Sequence, residues 1–230
     1  MTGQDPSLRV LSYNVHGLSD DRRALASVVR TVAPDIAVVQ EAPRRFRWRA
    51  RSAAMAHSFG MLYAAGGLPS LGNVIVTSHR VRVRETWCIR YPLTPGRHMR
   101  GAAFARCEVE GVAFVMAVSH LATDPAERPA QAQLFKDAIA DLDVPVLVGC
   151  DLNDTPPGQS WKVLADGLLD AGADGDAGTF AVPEPSRRID AIMIDPRCRI
   201  ERFEVVDSPD VRRASDHFPI VCDLVLPVIT

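Results

Sequence analysis

Long hydrophobic runs and cysteine pairs are both missing from this sequence. No apolar run approaches the ~18 residues of a membrane-spanning helix, so we expect no stable membrane association. The N-terminal stretch MTGQDPSLRV lacks the basic-then-apolar layout of a signal peptide. Five cysteines form no Cys-x-x-Cys pair and leave one over in any pairing, namely Cys88, Cys107, Cys150, Cys198 and Cys222. Reduced core thiols in a cytoplasmic protein are therefore expected.

Lysine is scarce as well, since only Lys136 and Lys162 are lysines among 26 basic residues. The charge is divided unevenly: residues 1–115 carry a net charge of +8 and residues 116–230 a net charge of −10. The basic half contains RRFRWRARS (44–52), in which arginines bracket Phe46 and Trp48. Such a patch can attract phosphate-rich partners. A solvated helix face in an arginine-biased chain is an equally good interpretation, so both stay open.

The order of apolar patterns predicts an α/β fold. Buried strands are expected in LRVLSYNV (8–15), DIAVVQE (35–41) and VPVLVGCD (144–151), and helices over 19–34, 45–58 and 125–141. The stretch 61–119 is typical of an antiparallel meander. About ten strands and three or four helices fit one helix–sheet–sheet–helix domain over 1–230, with a flexible N-terminus at 1–7. The loop 152–180 is long for a simple connection.

Polar side chains stand where these strands begin or end. In a layered α/β domain the strand ends on one edge line a common cleft. The residues concerned are two histidines, four carboxylates and two carboxamides: Asn14, Glu41, His120, Asp151, Asn153, Asp190, Asp216 and His217. Their joint occurrence predicts a site.

Each residue also has a structural interpretation when it is taken alone. Asn14 is typical of a turn or cap, and His120 of a histidine with satisfied hydrogen bonds. Asp190 could pair with Arg187 or Arg188. Only the eight residues taken together favour a catalytic or metal-binding site over separate structural roles.

Carboxylates and carboxamides with two histidines, and no thiolate cluster, favour Mg²⁺ or Mn²⁺ over zinc. Mg²⁺ typically takes one or two protein carboxylates together with a substrate phosphate. Glu41 and Asp216 would suffice for that role. The remaining acids could then activate water and the histidines bind phosphoryl oxygens, which suits hydrolysis of a phosphate ester by in-line attack.

The motifs also resemble, in their order along the chain, the signature blocks of the deoxyribonuclease I-like endonuclease/exonuclease/phosphatase superfamily. The blocks are LSYNVHG, DIAVVQE, GNVIVTS, VSHLAT, PVLVGCDLND, GTF with RRIDAIMI, and ASDHFPIV. This resemblance implies a four-layer α-β-β-α sandwich, with two mixed β-sheets flanked by helices. It also implies a single Mg²⁺-centred site for phosphate ester hydrolysis, with Mn²⁺ as a substitute.

The resemblance assigns three residues to the metal ion and five to catalysis. The metal ligands are Glu41 as the principal one, helped by Asn14 and Asp216. The catalytic residues are His217 on the scissile phosphate, Asp190 orienting that histidine, Asp151 as general base, Asn153 as a donor to phosphate oxygens, and His120 on a nonbridging or leaving-group oxygen. Abasic-site endonucleases of the superfamily carry an aspartate in place of His16 and a tyrosine in place of His120, which argues against that branch.

Three hypotheses on function follow. The first is a Mg²⁺-dependent phosphodiesterase that acts on nucleic acid. The second is a phosphatase or phosphodiesterase for a small or lipid-derived phosphate, such as an inositol phosphate, a nucleotide or a sphingomyelin-like ester. The third is a non-catalytic binding module. No protein partner is implied, and the stretches 44–51 and PGRHMR (95–100) are the candidates for contact with a nucleic-acid backbone or a polyphosphate.

Overall fold

Twelve strands and five helices form the regular structure of residues 6–175 and 177–227, which this computed structural model describes. The strands are β1 (Ser7–Asn14), β2 (Ile36–Gln40), β3 (Leu62–Gly67), β4 (Asn73–Thr77), β5 (Arg82–Arg90), β6 (Gly101–Val109), β7 (Val112–His120), β8 (Val146–Asp151), β9 (Leu169–Asp170), β10 (Asp190–Ile194), β11 (Arg199–Val205) and β12 (Ile220–Val225). The helices are α1 (Arg22–Val32), α2 (Trp48–Ser58), α3 (Arg128–Ala140), α4 (Gln159–Ala165) and α5 (Val211–Ala214).

The strands form two mixed six-stranded sheets. Their orders are β11-β12-β1-β2-β4-β3 and β5-β6-β7-β8-β10-β9. Each sheet has one parallel pair at its centre, β1 with β2 and β7 with β8, while the other neighbours are antiparallel. The predicted pair of mixed sheets is confirmed.

Three layers of apolar contacts hold four layers of structure together. Side chains from the inner faces of both sheets, such as Val38 and Met116, form the central layer. α1 and α2 cover the outer face of the first sheet, where Leu25 and Met55 pack, and Phe135 belongs to the layer between α3 and the second sheet. The α-β-β-α sandwich expected from the resemblance is therefore confirmed.

The two sheets approach closely at Gly149, in β8. A Cβ atom there would lie 2.2 Å from Cγ2 of Val38 in β2 and 3.2 Å from Cβ of Ser12 in β1. A side chain at this position would clash, so glycine lets the ends of β1, β2 and β8 come together. This close approach places residues of both sheets around one site.

The structure corrects three details of the sequence-based expectations. The second helix begins at Trp48 rather than at 45, because Arg47 has a left-handed backbone conformation with φ 57°. The stretch 152–180 contains the short elements α4 and β9. Of the N-terminus expected to be flexible, residues 1–5 lie outside the described residues, but Ser7 already pairs with Val225 in the sheet.

The cysteines are all free, as expected. Cys107, Cys150, Cys198 and Cys222 are buried, and burial raises the pKa of the Cys150 thiol well above its usual range. No helix in the described part of the chain is long and apolar enough to cross a bilayer.

Candidate active site

Strands of both sheets bring the predicted polar residues to one edge. β1 and β7, each from the parallel pair of its own sheet, end there in Asn14 and His120, and Glu41 directly follows β2. The antiparallel strand β10 begins at the same edge, because its first residue, Asp190, is paired in register with Asp151, the last residue of β8. The fold therefore gathers side chains that are far apart in the sequence.

The most buried part of the site is the pair formed by His217 and Asp190. Nδ1 of His217 lies 2.9 Å from Oδ2 of Asp190, and both side chains are at most 5% exposed. Burial disfavours a charged His217, but the carboxylates of Asp190, Asp151 and Asp216 outweigh it and raise its pKa to about 10. His217 is thus held as an imidazolium, with its Nε2 3.8 Å from Oδ2 of Asp151.

The carboxylate of Asp190 is available to His217 because Arg188 pairs with a different carboxylate. The guanidinium of Arg188 donates two hydrogen bonds to Asp170, at 3.0 and 2.7 Å, and stacks over the ring of Trp161. Trp161 Nε1 also donates to Asp170, at 3.2 Å. Of the alternatives considered for Asp190, pairing with Arg188 is therefore wrong.

The buried pair of Asp170 and Arg188 supplies a stability prediction. We expect Asp170→Ala to lower the free energy of unfolding by about 3–5 kcal/mol, because it leaves a buried guanidinium without its partner. Unfolding in urea, followed by circular dichroism, measures the change. The control is Glu204→Ala, which removes the partner of exposed Arg202 and should cost under about 1 kcal/mol. Equal losses in both variants would contradict a structural role for Asp170.

Asp151 is held by donors from both sheets. Its Oδ2 accepts a hydrogen bond of 2.8 Å from Nδ2 of Asn14, and its Oδ1 accepts one of 3.0 Å from the backbone N–H of Asn153. Its side chain is 1% exposed. Its carboxylate is fixed at the floor of the site, with Nε2 of His120 3.3 Å from Oδ2.

Glu41 and Asp216 are the more accessible carboxylates, with side chains 39% and 38% exposed. Among the described residues neither forms an ion pair with an arginine or lysine, although His120 and His16 lie 3.9 and 4.0 Å away. The pKa of His16 is raised, first by its hydrogen bond with Asp20 and also by the charges of Asp216 and Glu41. Two carboxylates without a guanidinium or ammonium partner fit a hard divalent cation.

Asn14, expected from the resemblance to help bind the metal ion, lies between Glu41 and Asp151. Its Oδ1 accepts the backbone N–H of His16 at 3.0 Å, while its Nδ2 faces Asp151 and lies 3.4 Å from Oε1 of Glu41. Asn14 thus contacts two carboxylates of the site, and its role as a metal ligand stays a prediction.

A different group of three also has the composition of a metal site. Ligand atoms of Asp151, Asp190 and His217 lie within 4.8 Å of one another. The two carboxylates already accept hydrogen bonds, however, and Nδ1 of His217 faces Asp190. This group is better suited to acid–base chemistry than to metal binding.

The backbone is strained at three positions around the site. His16, Glu41 and Asn153 have φ values of 46°, 55° and 50°, in the left-handed region that glycine tolerates best. Such conformations cost about 1–3 kcal/mol each and cluster at functional sites. The strain aims Glu41 and Asn153 away from the regular directions of β2 and β8.

His120 lies between Arg100 and Asn153. Nη1 of Arg100 lies 3.2 Å from its Nδ1, and Nδ2 of Asn153 lies 2.9 Å from its Nε2. Burial, reinforced by the charge of Arg100, lowers the pKa of His120 to about 3. His120 is therefore neutral, unlike His217.

Arg100 is the site residue that sequence reasoning did not assign. It is half-buried, its Nε has no hydrogen-bond partner among the described residues, and burial lowers its pKa. It forms no ion pair within the described part of the chain, although Asp151 and Glu41 are near enough to act on its charge. Its presence in the stretch 95–100, already singled out for phosphate contact, was the available signal.

Two further polar residues position the histidine pair. Ser215 Oγ donates to the backbone carbonyl of Asn14 at 2.7 Å and accepts the N–H of His217 at 3.3 Å. Thr179 Oγ1 accepts the backbone N–H groups of Ile189 and Asp190. Both residues occur in the motifs that carry the resemblance, but their contacts require the folded loops. Asn73, by contrast, donates to the carbonyls of Ser70 and Gly101 and so links β4 to β6.

Comparisons with known proteins identify the family and the fold of this chain. The model of the Endonuclease/Exonuclease/phosphatase family matches residues 11–217. A family protein from Bacteroides thetaiotaomicron has a similar structure, with a TM-score of 0.82 at 21% identity, over 98% of this chain and 100% of that one. No curated protein matches the sequence.

Two more solved structures share the fold. A mannosyl-6-phosphatase from B. thetaiotaomicron superposes with a TM-score of 0.79 at 19% identity, over 95% of this chain and 100% of that one. TDP2 from D. rerio, in complex with a single-strand DNA product, superposes with a TM-score of 0.76 at 23% identity, over 96% of this chain and 99% of that one. At these identities the likeness concerns the fold.

Proposed function

The chain belongs to the endonuclease/exonuclease/phosphatase family, and from that premise we propose that it is a Mg²⁺-dependent phosphoesterase that hydrolyses a phosphodiester, with nucleic acid as the first substrate class. Members of this family are phosphoester hydrolases. The observation that carries the proposal is the buried contact of His217 with Asp190, at 2.9 Å, beside the fixed carboxylate of Asp151.

Glu41 and Asp216 would hold the Mg²⁺ ion, for which Mn²⁺ could substitute. They are the carboxylates of the site that face outward without a guanidinium partner in the described part of the chain. When bound, the ion supplies neutralisation of the negative charge on the substrate phosphate. Asn14 keeps the carboxylate of Glu41 separate from that of Asp151 by its amide group, which lies within 3.4 Å of both.

His217 and Asp151 divide the proton chemistry between them. Asp190 accepts from Nδ1 of His217, so the Nε2–H points out of the pair and can donate to a phosphate oxygen as negative charge develops there. Asp151 has both oxygens fixed by Asn14 and Asn153. It can position a water molecule for in-line attack and accept its proton.

His120, Asn153 and Arg100 form the phosphate-binding side of the site. The Asn153 amide donates to the carbonyl of Leu121 at 3.1 Å as well as facing His120. Arg100 lies beside His120 as a cation without a counter-ion among the described residues. A guanidinium is well suited to two oxygens of one phosphate group.

We expect Arg100→Ala to raise KM for a phosphate ester about 10- to 100-fold, because a hydrogen bond to a charged group contributes about 1.5–3 kcal/mol. Steady-state kinetics in saturating Mg²⁺ measure KM and kcat, and we expect kcat to change less than KM. Arg90→Ala is the matched control: Arg90 is paired in register with Gly101 on the next strand, and its guanidinium donates to backbone carbonyls. An unchanged KM for Arg100→Ala would contradict phosphate binding by this residue.

Nicking of supercoiled plasmid by the purified protein in Mg²⁺ tests the proposed function. Nicking that EDTA and His217→Ala both abolish is the expected result. Hydrolysis of bis-p-nitrophenyl phosphate without nicking would assign the same chemistry to the alternative class, a small or lipid-derived phosphate. The absence of both nicking and ester hydrolysis would contradict the proposal and favour a non-catalytic module.

A further inference from the structure

Two adjoining grooves on the outer helix layer are lined by arginine. The first, of about 530 Å³, runs between α1 and α2, and the second, of about 450 Å³, lies beside α2 and the loop before it. We call the six arginines that line them the arginine face: Arg22, Arg23, Arg30, Arg45, Arg47 and Arg51. All six are exposed.

The positive charge of this face is not compensated within the molecule. None of its six arginines lies within 4.0 Å of a carboxylate in the described residues, whereas Arg84, Arg199 and Arg202 on other faces each pair with a glutamate. Two carboxylates at the start of α1 are already engaged. Asp20 bonds to His16, and Asp21 caps the helix. An unbalanced cluster of guanidinium groups favours an anionic partner.

The apolar residues of the larger groove do not offer much surface to an apolar partner. Leu18, Met55 and Phe59 in its floor are 8%, 5% and 3% exposed, because they already pack in the core. Phe46, in the second groove, is 87% exposed. Charged grooves with an isolated exposed aromatic ring are typical of surfaces that follow a phosphate backbone and stack on a base.

Both ends of the arginine face lie close in the chain to residues at the candidate active site. The groove begins at Leu18, two residues after His16, whose Nε2 lies 4.0 Å from Asp216. At the other side Arg44, next to Arg45 in sequence, is close enough to influence the charge of His120 and Arg100. An 11-residue helix such as α1 is about 16 Å long, so its exposed arginines can contact more than one phosphate of a strand.

We propose that the arginine face binds single-stranded nucleic acid and leads the strand to the catalytic edge. This inference rests on the proposed function and names a polymeric substrate class for the same site. Guanidinium groups of α1 and of the loop before α2 contact successive phosphates, and the ring of Phe46 stacks on a base.

Binding of a fluorescein-labelled 20-nucleotide oligo-dT, measured by anisotropy in EDTA from 50 to 200 mM NaCl, tests the proposal. The test variant is Arg22→Gln/Arg30→Gln/Arg51→Gln. The control variant, Arg84→Gln/Arg199→Gln/Arg202→Gln, removes the same net charge from other faces. Since each phosphate contact on a single strand contributes about 0.7 to the slope of log K against log salt, the slope should fall by about 2 in the test variant. Its Kd at 50 mM NaCl should rise at least about tenfold, and the Kd of the control variant less than about twofold.

Phe46→Ala should weaken binding by at least about fivefold, with an unchanged salt slope, because stacking is lost without loss of charge. Equal losses in the test and control triple variants would overturn the proposal in favour of a diffuse effect of net charge. The absence of oligo-dT binding would also overturn the proposal, because it is the result expected of a helix face that is only solvated. Binding to vesicles of phosphatidylcholine with 30% phosphatidylserine, but not to oligo-dT, would assign the face to an anionic lipid surface and also overturn it.

Hydrolysis of bis-p-nitrophenyl phosphate in Mg²⁺ separates this inference from the proposed function. The test variant should keep the wild-type rate within about twofold, because a small ester does not reach α1. Arginine-dependent binding without any hydrolysis would contradict the proposed function alone. Hydrolysis with identical oligo-dT binding by all variants would contradict the arginine face alone.

Discussion

Asp190→Asn is expected to lower kcat for phosphate ester hydrolysis by about 10²- to 10⁴-fold, the usual contribution of a positioned acid–base group. The carboxylate of Asp190 fixes the ring of His217 through Nδ1 at 2.9 Å and contributes to the pKa of about 10. An amide has no negative charge and cannot keep the imidazole protonated. The Mg²⁺ concentration for half-maximal activity should remain unchanged, because Asp190 acts through His217.

The pH profile of this variant gives a second measurement. In the wild type His217 is protonated below its pKa of about 10, so the cationic form persists throughout neutral pH. Without the Asp190 charge the pKa falls, and the protonated fraction is lost as the pH rises through that lower value. The residual activity of Asp190→Asn should therefore increase on acidification relative to the wild type.

Asp195→Asn is the matched control, since Asp195 follows the other end of the same strand and pairs with Arg197. It should leave kcat within about twofold of the wild type. A folded Asp190→Asn protein with wild-type kcat would show that the buried pair has only a structural role.

Glu41→Gln is expected to have the second large effect, which is on the Mg²⁺ concentration that the enzyme requires. We expect the Mg²⁺ concentration for half-maximal activity to rise at least about tenfold, because even the loss of an outer partner of a metal ligand costs 10–100-fold in affinity. Glutamine keeps the shape of the side chain and its contact with Asn14 but removes the charge. A Mg²⁺ titration of initial rates measures the shift.

The contrast between the two variants is the informative result. Glu41→Gln should recover much of its rate at high Mg²⁺, whereas Asp190→Asn should not. Glu85→Gln, on the exposed strand β5, is the control for loss of one acidic charge. If Glu41→Gln and Asp190→Asn responded alike to Mg²⁺, the division between metal-binding and acid–base residues would be wrong.

Much of the fold and of the site could be predicted because strand ends carry information. Asn14, His120 and Asp151 each end a run of apolar residues. Their strands lie in the parallel pairs β1–β2 and β7–β8, one in each sheet, and strands of a parallel pair end at the same edge. The order of the motifs along the chain then predicted the α-β-β-α sandwich, through the resemblance to the superfamily. Asp190 and His217 were recognisable for the same reason, at the beginning of antiparallel strands.

The remaining features depend on contacts that leave no periodic signal. Arg100 precedes a strand in an irregular stretch, and only the folded β6 places it beside His120. Arg188 pairs with Asp170, which lies in β9, a strand of two residues inside a long loop. The direction of the Asn14 amide depends on the backbone N–H of His16, whose φ is positive.

Hydrolysis of bis-p-nitrophenyl phosphate by the wild type and by His217→Ala, each titrated with Mg²⁺ from an EDTA-treated preparation, tests the central claim most directly. It requires neither a polymer nor the arginine face. The account predicts a rate that depends on Mg²⁺ in the wild type and falls by about 10²- to 10⁴-fold in His217→Ala at every Mg²⁺ concentration. A rate that persists in EDTA, or that is unchanged in His217→Ala, would contradict it.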